Sequence, residues 1–383
     1  MTEKQTNGAH VTQVASHYDK LKQFGSAGRL FTTTAGIRNF NNWVKASLIH
    51  WSVSHFRNSR NLKNVPVAIM DLASGHGGDL NKWLKANVSH YIGVDNSSGA
   101  ITKAQDRYGK ILERGMQFFD FARWIRADLS SVLSTSKLPS SLHFDFVSCQ
   151  FAMHYLFSSK SAAHCFFRNV SDRLVPGGYY MCITGNADWI VKAARMAAYS
   201  PPMESNGEGH FHSKTENSCV VGYNAGDGEP LWSLTFELPL QFTEYGSMYT
   251  MFLRDAVENI PEFIVHQKTL EELASEHDLV LNISMTLHEF FHEYCNAGVY
   301  RKMMEDMGAL EDGSPHPSAW SLASMYRIYL FEKRAPQRKF VFTHRLRMPP
   351  ADSNWQVMLD ANPKPVQPEL SDEEDDDDDI CSD

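Results

Sequence analysis

The chain has 383 residues, 43% hydrophobic and 12% aromatic, enough for a sizeable core in one large domain or two smaller ones. That balance excludes a globally disordered chain, collagen and a small disulfide scaffold. Nine of the 45 acidic residues fall in the last thirteen positions, so the body carries 36 of each sign and the net charge of −9 sits in the tail. A neutral body does not argue against nucleic acid, because a local basic patch suffices. No apolar run approaches the ~18 residues of a membrane span, and the N-terminus has no apolar stretch of the signal-peptide kind. A soluble, intracellular protein with no membrane association is expected. The six cysteines show no C-x-x-C spacing, so reduced thiols are expected and a zinc site is not.

From about Pro66 short apolar runs alternate with helix-like stretches. Residues 65–72 read as a buried strand, 78–87 as the helix after it, 90–95 as a second strand and 100–112 as its helix. Residues 123–128, 143–149 and 179–184 read as three more strands, with a helix over 159–174 between the last two. Such alternation predicts an α/β fold built on a parallel sheet covered on both faces, with ligands at the carboxyl ends of the strands. Residues 186–230 break the rhythm, being rich in Ser, Asn, Gly and Glu, and are expected as a surface insertion. Strand-like 231–238, helical 269–277 and strand-like 280–287 and 324–333 resume it. Residues 337–350 interleave basic and aromatic side chains, so the folded body is expected to end near Arg334.

The first strand runs into Asp71-Leu72-Ala73-Ser74-Gly75-His76-Gly77-Gly78-Asp79. Glycines at a strand-to-helix turn let the backbone approach a ligand. Twenty residues after Gly75 the second strand ends in Asp95, suited to accept from ribose hydroxyls. The third glycine of a dinucleotide fingerprint falls on Leu80, and no P-loop Lys-Ser/Thr follows. The better fit is an adenosine ligand with another tail, such as S-adenosylmethionine. An ordinary tight turn with no ligand is the alternative.

Several segments together resemble the eukaryotic mRNA cap guanine-N7 methyltransferases: RNFNNWVKASLI (38–49), DLASGHGGDLNKW (71–83), YIGVD (91–95), FDFVSCQFAMHY (144–155), PGGYYMCITGN (176–186), IPEFIV (260–265) and ASMYRIYLFEK (323–333). The resemblance implies a Rossmann-like class I S-adenosylmethionine-dependent methyltransferase fold, with a mostly parallel seven-stranded sheet and helices on both faces. It implies methyl transfer to guanine N7 of a 5′ GpppN RNA end, in the nucleus. By motif position, Lys45, Ala73, Gly75, Asp95, Asp128, Gln150 and Tyr155 would contact the methyl donor. Asn41, Asn42, His76, Lys82, Arg107, His154, Tyr155, Glu262 and Tyr326 would surround the cap and its phosphates. The implied partners are capped mRNA and, beyond it, an activating subunit or the capping and transcription machinery. The organisation expected is a disordered segment (1–14), the methyltransferase domain (15–334), a basic/aromatic then Pro-rich extension (335–370) and an acidic disordered tail (371–383). Ala73, Ser74 and His76 depart from the family's usual D-L-G-C-G-K-G-G-D. Alanine at 73 is expected to be tolerable only if that residue keeps φ below zero, and His76 to be a weaker phosphate contact than lysine at neutral pH.

Guanine N7 carries a lone pair and no proton, so neither a general base nor a metal is expected, and catalysis reduces to positioning and electrostatics. One carboxylate can accept both N1–H and the exocyclic amine of guanine, a role that suits Glu262; the alternative is that Pro-Glu-Phe merely opens a helix. For His154 and Tyr155 the alternative is core packing. For Tyr326 it is a half-buried strand position, and for Lys82 and Arg107 solvated helix faces. Residues 334–347 are expected to hold the RNA body, or else to pack as an edge segment. Two other functions stay open: a cap-binding module without catalysis, and a methyltransferase acting on another substrate.

Overall fold

A computed structural model describes residues 32–62, 65–115, 118–205 and 207–334. The expectations for 1–14, 335–370 and 371–383 lie outside the described residues. The first helix, α1 (Ala35–Ser59), turns Phe40, Trp43, Val44, Leu48 and Phe56 inward at helical spacing. Full burial of such side chains contributes about 1.5–3 kcal/mol each. The elements that follow are β1 (Ala68–Leu72), α2 (Leu80–Lys85), β2 (His90–Asp95), α3 (Ser98–Glu113), β3 (Phe121–Arg126) and β4 (Phe144–Gln150). A 3₁₀ turn, Met153–Ser158, leads to α4 (Lys160–Ser171) and β5 (Leu174–Gly185). Ser97 and Ser159 cap α3 and α4 by accepting from the Ala100 and Ala162 amides.

The main sheet has seven strands in the order β11-β12-β5-β4-β1-β2-β3, where β11 is Leu279–Thr286 and β12 Tyr326–Lys333. Its strands pair in parallel except β12, which runs antiparallel to both neighbours. Along β5 the pleat sends Tyr179, Met181 and Ile183 into one apolar cluster and Tyr180 and Cys182 into another. The first cluster holds α1 and α2; the second holds α4 and α6 (Gln267–Glu276). The fold is therefore the expected one, a Rossmann-like sheet with helices on both faces. Chain order reverses on either side of β1, which opens a crevice at the strands' carboxyl ends. No helix among the described residues is long and apolar enough to cross a membrane.

A second, five-stranded sheet was not anticipated. It is antiparallel throughout, in the order β10-β9-β8-β7-β6. Its strands are β6 (Glu208–Lys214), β7 (Ser218–Ala225), β8 (Pro230–Glu237), β9 (Met248–Leu253) and β10 (Val257–Phe263). Residues 186–230, expected as a surface insertion, supply α5 (Ala187–Tyr199) and the outer strands of this sheet. They share the first cluster, with Ile190, Ala194 and Cys219 buried. Polar composition misled because β6 is an edge strand with Phe211 as its only apolar side chain and one face towards water. Residues 260–265 lie on β10 and just beyond it, not at a helix start. Helices α7 (Leu287–Tyr294), α8 (Gly298–Asp306) and α9 (Pro317–Ala323) lie between β11 and β12, with α7 and α9 contacting α1.

Candidate active site

The turn after β1 is built on unusual backbone. Ala73 has φ 53° and Gly75 φ 54°, both in the left-handed region. The condition under which alanine was expected to be tolerated at 73 is thus not met: the turn holds its shape and alanine bears the steric cost, about 1–2 kcal/mol relative to an unstrained residue. At Gly75 a Cβ would meet nothing within 4 Å, so the loop leaves open space on that side. The Gly75 amide donates to Asp95 Oδ2 at 2.8 Å, and the Ser97 amide donates to Oδ1 at 2.9 Å. A carboxylate oxygen can accept more than one hydrogen bond. Asp128 follows β3 directly. The Ala127 amide donates to the Asp95 carbonyl at 2.9 Å, which ties the two carboxylates' backbones together. Asp128 Oδ1 accepts from the Ser130 amide at 2.8 Å.

Gln150 ends β4, beside β1 at the crevice. Its Nε2 donates to Ser148 Oγ at 2.9 Å, while its Oε1 is buried without a hydrogen-bond partner. An orphaned buried acceptor is costly unless something binds it. That oxygen, the open Gly75 turn and the Asp95 carboxylate form a set that fits an amino-acid-bearing adenosine ligand, and S-adenosylmethionine in particular.

Lys45 projects from α1 to Asp79 at the end of the glycine turn, Nζ to Oδ1 at 2.6 Å, and Lys82 reaches the same oxygen at 3.1 Å. Burial pushes the Asp79 carboxyl up, but the two ammonium groups outweigh it and hold it at about 2. Lys82 also donates to the Gly78 carbonyl at 2.8 Å. Its ammonium is therefore engaged inside the loop, where a purely phosphate-facing lysine was expected. Asn41 and Asn42 lie half-buried on α1 one turn before Lys45, His76 half-buried in the turn, and Arg107 half-buried on α3. Asp71, on β1 under the turn, is pushed up to about 7 by burial and by the nearby Asp79 carboxylate. The Tyr91 hydroxyl donates to it at 3.1 Å.

A second focus surrounds Glu262, which is only 3% exposed. The Tyr249 hydroxyl donates to its Oε2 at 2.7 Å, and the Tyr155 hydroxyl to Oε1 at 3.3 Å. His154 Nε2 lies 3.4 Å from Oε1, while its Nδ1 is 3.4 Å from Thr184 Oγ1. Burial pushes the Glu262 carboxyl up, but His154, Tyr249 and Tyr155 outweigh it and hold it below the ordinary range. Residues 150–155 run from one focus to the other, so the two are joined by a single short segment. Within it Phe151 has φ 57°, a strained conformation for an aromatic residue, and its ring meets Tyr326 edge-on with centroids 4.9 Å apart. Three residues of these clusters went unread in the sequence: Asp79, Phe151 and Tyr249. Asp79 closes the quoted glycine motif, a signal that was available. Tyr249 becomes visible only once β9 and β10 pair, because it sits directly opposite Glu262 in that ladder.

A parallel sheet with β1 at its switch point, an open glycine turn and a ribose-suited carboxylate define a class I S-adenosylmethionine-dependent methyltransferase. A family model, that of the mRNA (guanine-N(7))-methyltransferase domain, matches residues 1–217 and 221–334. The chain belongs to that family, and most of 186–230, expected as a surface insertion, lies within the match. The mRNA cap guanine-N(7) methyltransferase of Drosophila melanogaster is 32% identical over 321 residues, covering 82% of this chain and 69% of that protein. The mRNA cap guanine-N(7) methyltransferase 1 of Oryza sativa subsp. japonica is 32% identical over 329 residues, covering 84% and 81%. A Cryptococcus neoformans mRNA cap guanine-N(7) methyltransferase is 30% identical over 84% of this chain, which spans only 48% of its length. Among solved structures, an S-adenosylmethionine-dependent methyltransferase from Clostridium acetobutylicum superposes with TM-score 0.40 at 15% identity, covering 74% and 91%.

Proposed function

We propose that this chain methylates N7 of the guanine in a 5′ GpppN RNA end. The observation that carries the reading is the buried Glu262 carboxylate, ringed by Tyr249, Tyr155 and His154 and linked to Gln150 of the methyl-donor side by residues 150–155. Guanine presents two adjacent donors, and a single carboxylate accepts both. On Oε1 the contacts at 3.3 and 3.4 Å are long, so a base can replace them, while the 2.7 Å bond from Tyr249 keeps Oε2 oriented. Adenine would leave the buried acceptor unpaired, a loss that sites of this kind convert into strong rejection.

When bound, S-adenosylmethionine supplies a methyl activated by the sulfonium charge. The chain's part is then to align the two reactants. Asp95 and Asp128 accept from the donor's nucleoside, and Gln150 Oε1 and the Gly75 turn take its amino-acid end with Lys45 beside them. Ala73 lies in that turn. Tyr155 lies between the two ligands; His154, Tyr326, Asn41 and Asn42 frame the base; His76 and Arg107 face the phosphates, with Lys82 acting on that side through its pair with Asp79. Guanine N7 has no proton to remove, so no acid or base is assigned, and alignment in a preorganised site can supply ~7–11 kcal/mol. Action on mRNA caps supports residence in the nucleus, and an activating subunit is compatible with the same role.

The test is transfer of labelled methyl to GpppA-capped, ApppA-capped and uncapped triphosphate RNA, with Glu262→Ala in parallel. Label on 7-methylguanosine with GpppA alone, lost in the variant, is expected. Transfer indifferent to the cap would overturn the reading.

A further inference from the structure

We propose that one face of α3 is a track for the single-stranded RNA that follows the cap; this rests on the cap reading above and extends it beyond the base and triphosphate. Lys103, Arg107, Lys110 and Arg114 are spaced four, three and four residues apart, so they fall on one stripe of the helix. Lys103 and Arg107 are half-buried, whereas Lys110 and Arg114 are exposed. The opposite demand is met by Ala100, Ala104 and Ile111, which pack inward. Asp106 and Glu113 flank the stripe on one side, at i,i+3 and i,i+4 spacing to Lys103 and Lys110.

The stripe's position gives it a direction. Helix α3 starts three residues after Asp95, so its first turn abuts the crevice and its C-terminus points away from it. The glycine turn rests against the same helix: at Gly77, with φ 73°, a Cβ would come 3.1 Å from Ala104 Cβ. Arg107 lies about one turn beyond Ala104, on the side already assigned to the cap phosphates. From Lys103 to Arg114 the stripe advances about 16 Å along the axis. A chain leaving the triphosphate therefore meets regularly spaced cations, each able to neutralise a backbone phosphate irrespective of sequence.

An independent feature lies at the far end. Phe118 is 61% exposed, although its neighbour Phe119 is 4% exposed and stacks on Tyr108. An aromatic ring held in solvent just past a row of cations is the arrangement that supports base stacking in sequence-tolerant single-strand binding. Charge alone would also suit an acidic protein segment, the chain's own residues 371–383 included; the solvent-facing ring and the direction away from the phosphate side favour RNA.

The experiment compares the full chain with Lys110→Gln/Arg114→Gln and with Phe118→Ala, using GpppA dinucleotide and a capped 20-nucleotide RNA over a range of KCl. Unchanged kinetics on the dinucleotide are expected, with KM for the long RNA raised about fivefold in the double variant and its log–log salt dependence shallower by about 1.4. Fluorescence anisotropy with an uncapped 20-mer reads the track without methyl transfer. A chain inactive on every cap but showing the variant-sensitive anisotropy would break the cap reading and keep the track. Equal effects on both substrates, or none on either, would overturn the track. A lower KM for long RNA in the double variant, reproduced by deleting 371–383, would assign the stripe to the tail instead.

Discussion

Tyr249 and Glu262 face each other across the β9–β10 ladder, hydroxyl to carboxylate at 2.7 Å, with both side chains in the interior. A bond to a charged acceptor is worth about 1.5–3 kcal/mol, so its loss should be felt chiefly where Glu262 works. Tyr249→Phe is expected to raise KM for the cap dinucleotide about tenfold with little change in kcat. The acid limb of the pH profile for binding should also move upward, because the carboxyl loses a donor that holds it below its ordinary range. A variant with lower kcat but an unshifted profile would show that the hydroxyl merely packs.

Asp79 gathers Lys45 and Lys82 onto one oxygen, and their side chains are only 16% and 9% exposed. Asp79→Ala leaves two like charges close together without their counter-ion. Breaking a buried pair in this way costs about 3 kcal/mol, which urea unfolding at pH 7 should read. The Asp79 carboxyl, held at about 2, contributes stability that is present above the ordinary carboxylate range and lost as pH falls towards 2.

Asp71 has the opposite sign. Raised to about 7, it holds a proton in the folded chain that the unfolded chain has already released. Its contribution therefore turns unfavourable as pH rises from about 4 to about 7 and stays so above. Asp71→Asn keeps an acceptor for Tyr91 and removes the ionisation. The variant should gain stability relative to the parent at pH 8 compared with pH 5; a constant difference between the two would refute the assignment.

Ala73→Gly removes a Cβ from a residue at φ 53°. Relief of the left-handed strain exceeds the extra chain entropy of glycine, so stability should rise by about 0.5–1 kcal/mol. Thermal unfolding of the two proteins decides it. A fall in stability would mean that the methyl's packing against the second apolar cluster outweighs the strain.

The seven-stranded sheet was legible because its central parallel strands are buried on both faces and so read as continuous apolar runs, as in β1 with Ala68 to Leu72 all buried. The second sheet was not, because β6 buries only His212 and β10 carries the exposed Glu258 and Asn259 near its start, so neither reads as a uniform apolar run. The glycine turn and Asp95 were legible for a related reason: a motif local in sequence keeps its spacing in space, and the Gly75–Asp95 bond follows. Lys82 was readable as a cation near phosphates but not as a partner of Asp79, since solvated and paired lysines look alike in sequence.

By itself the sequence determined the layer architecture, the methyl-donor turn and the residues Glu262, His154 and Tyr155 as candidates, because hydrophobic periodicity and short-range motifs are properties of neighbouring residues. The tertiary structure alone decided which side chains meet across distance: that Tyr249 braces Glu262, that Asp79 joins α1 to the glycine turn through Lys45, and that the basic stripe of α3 begins beside that turn. Those pairings depend on strand register and helix docking, and both are set by how the whole core packs.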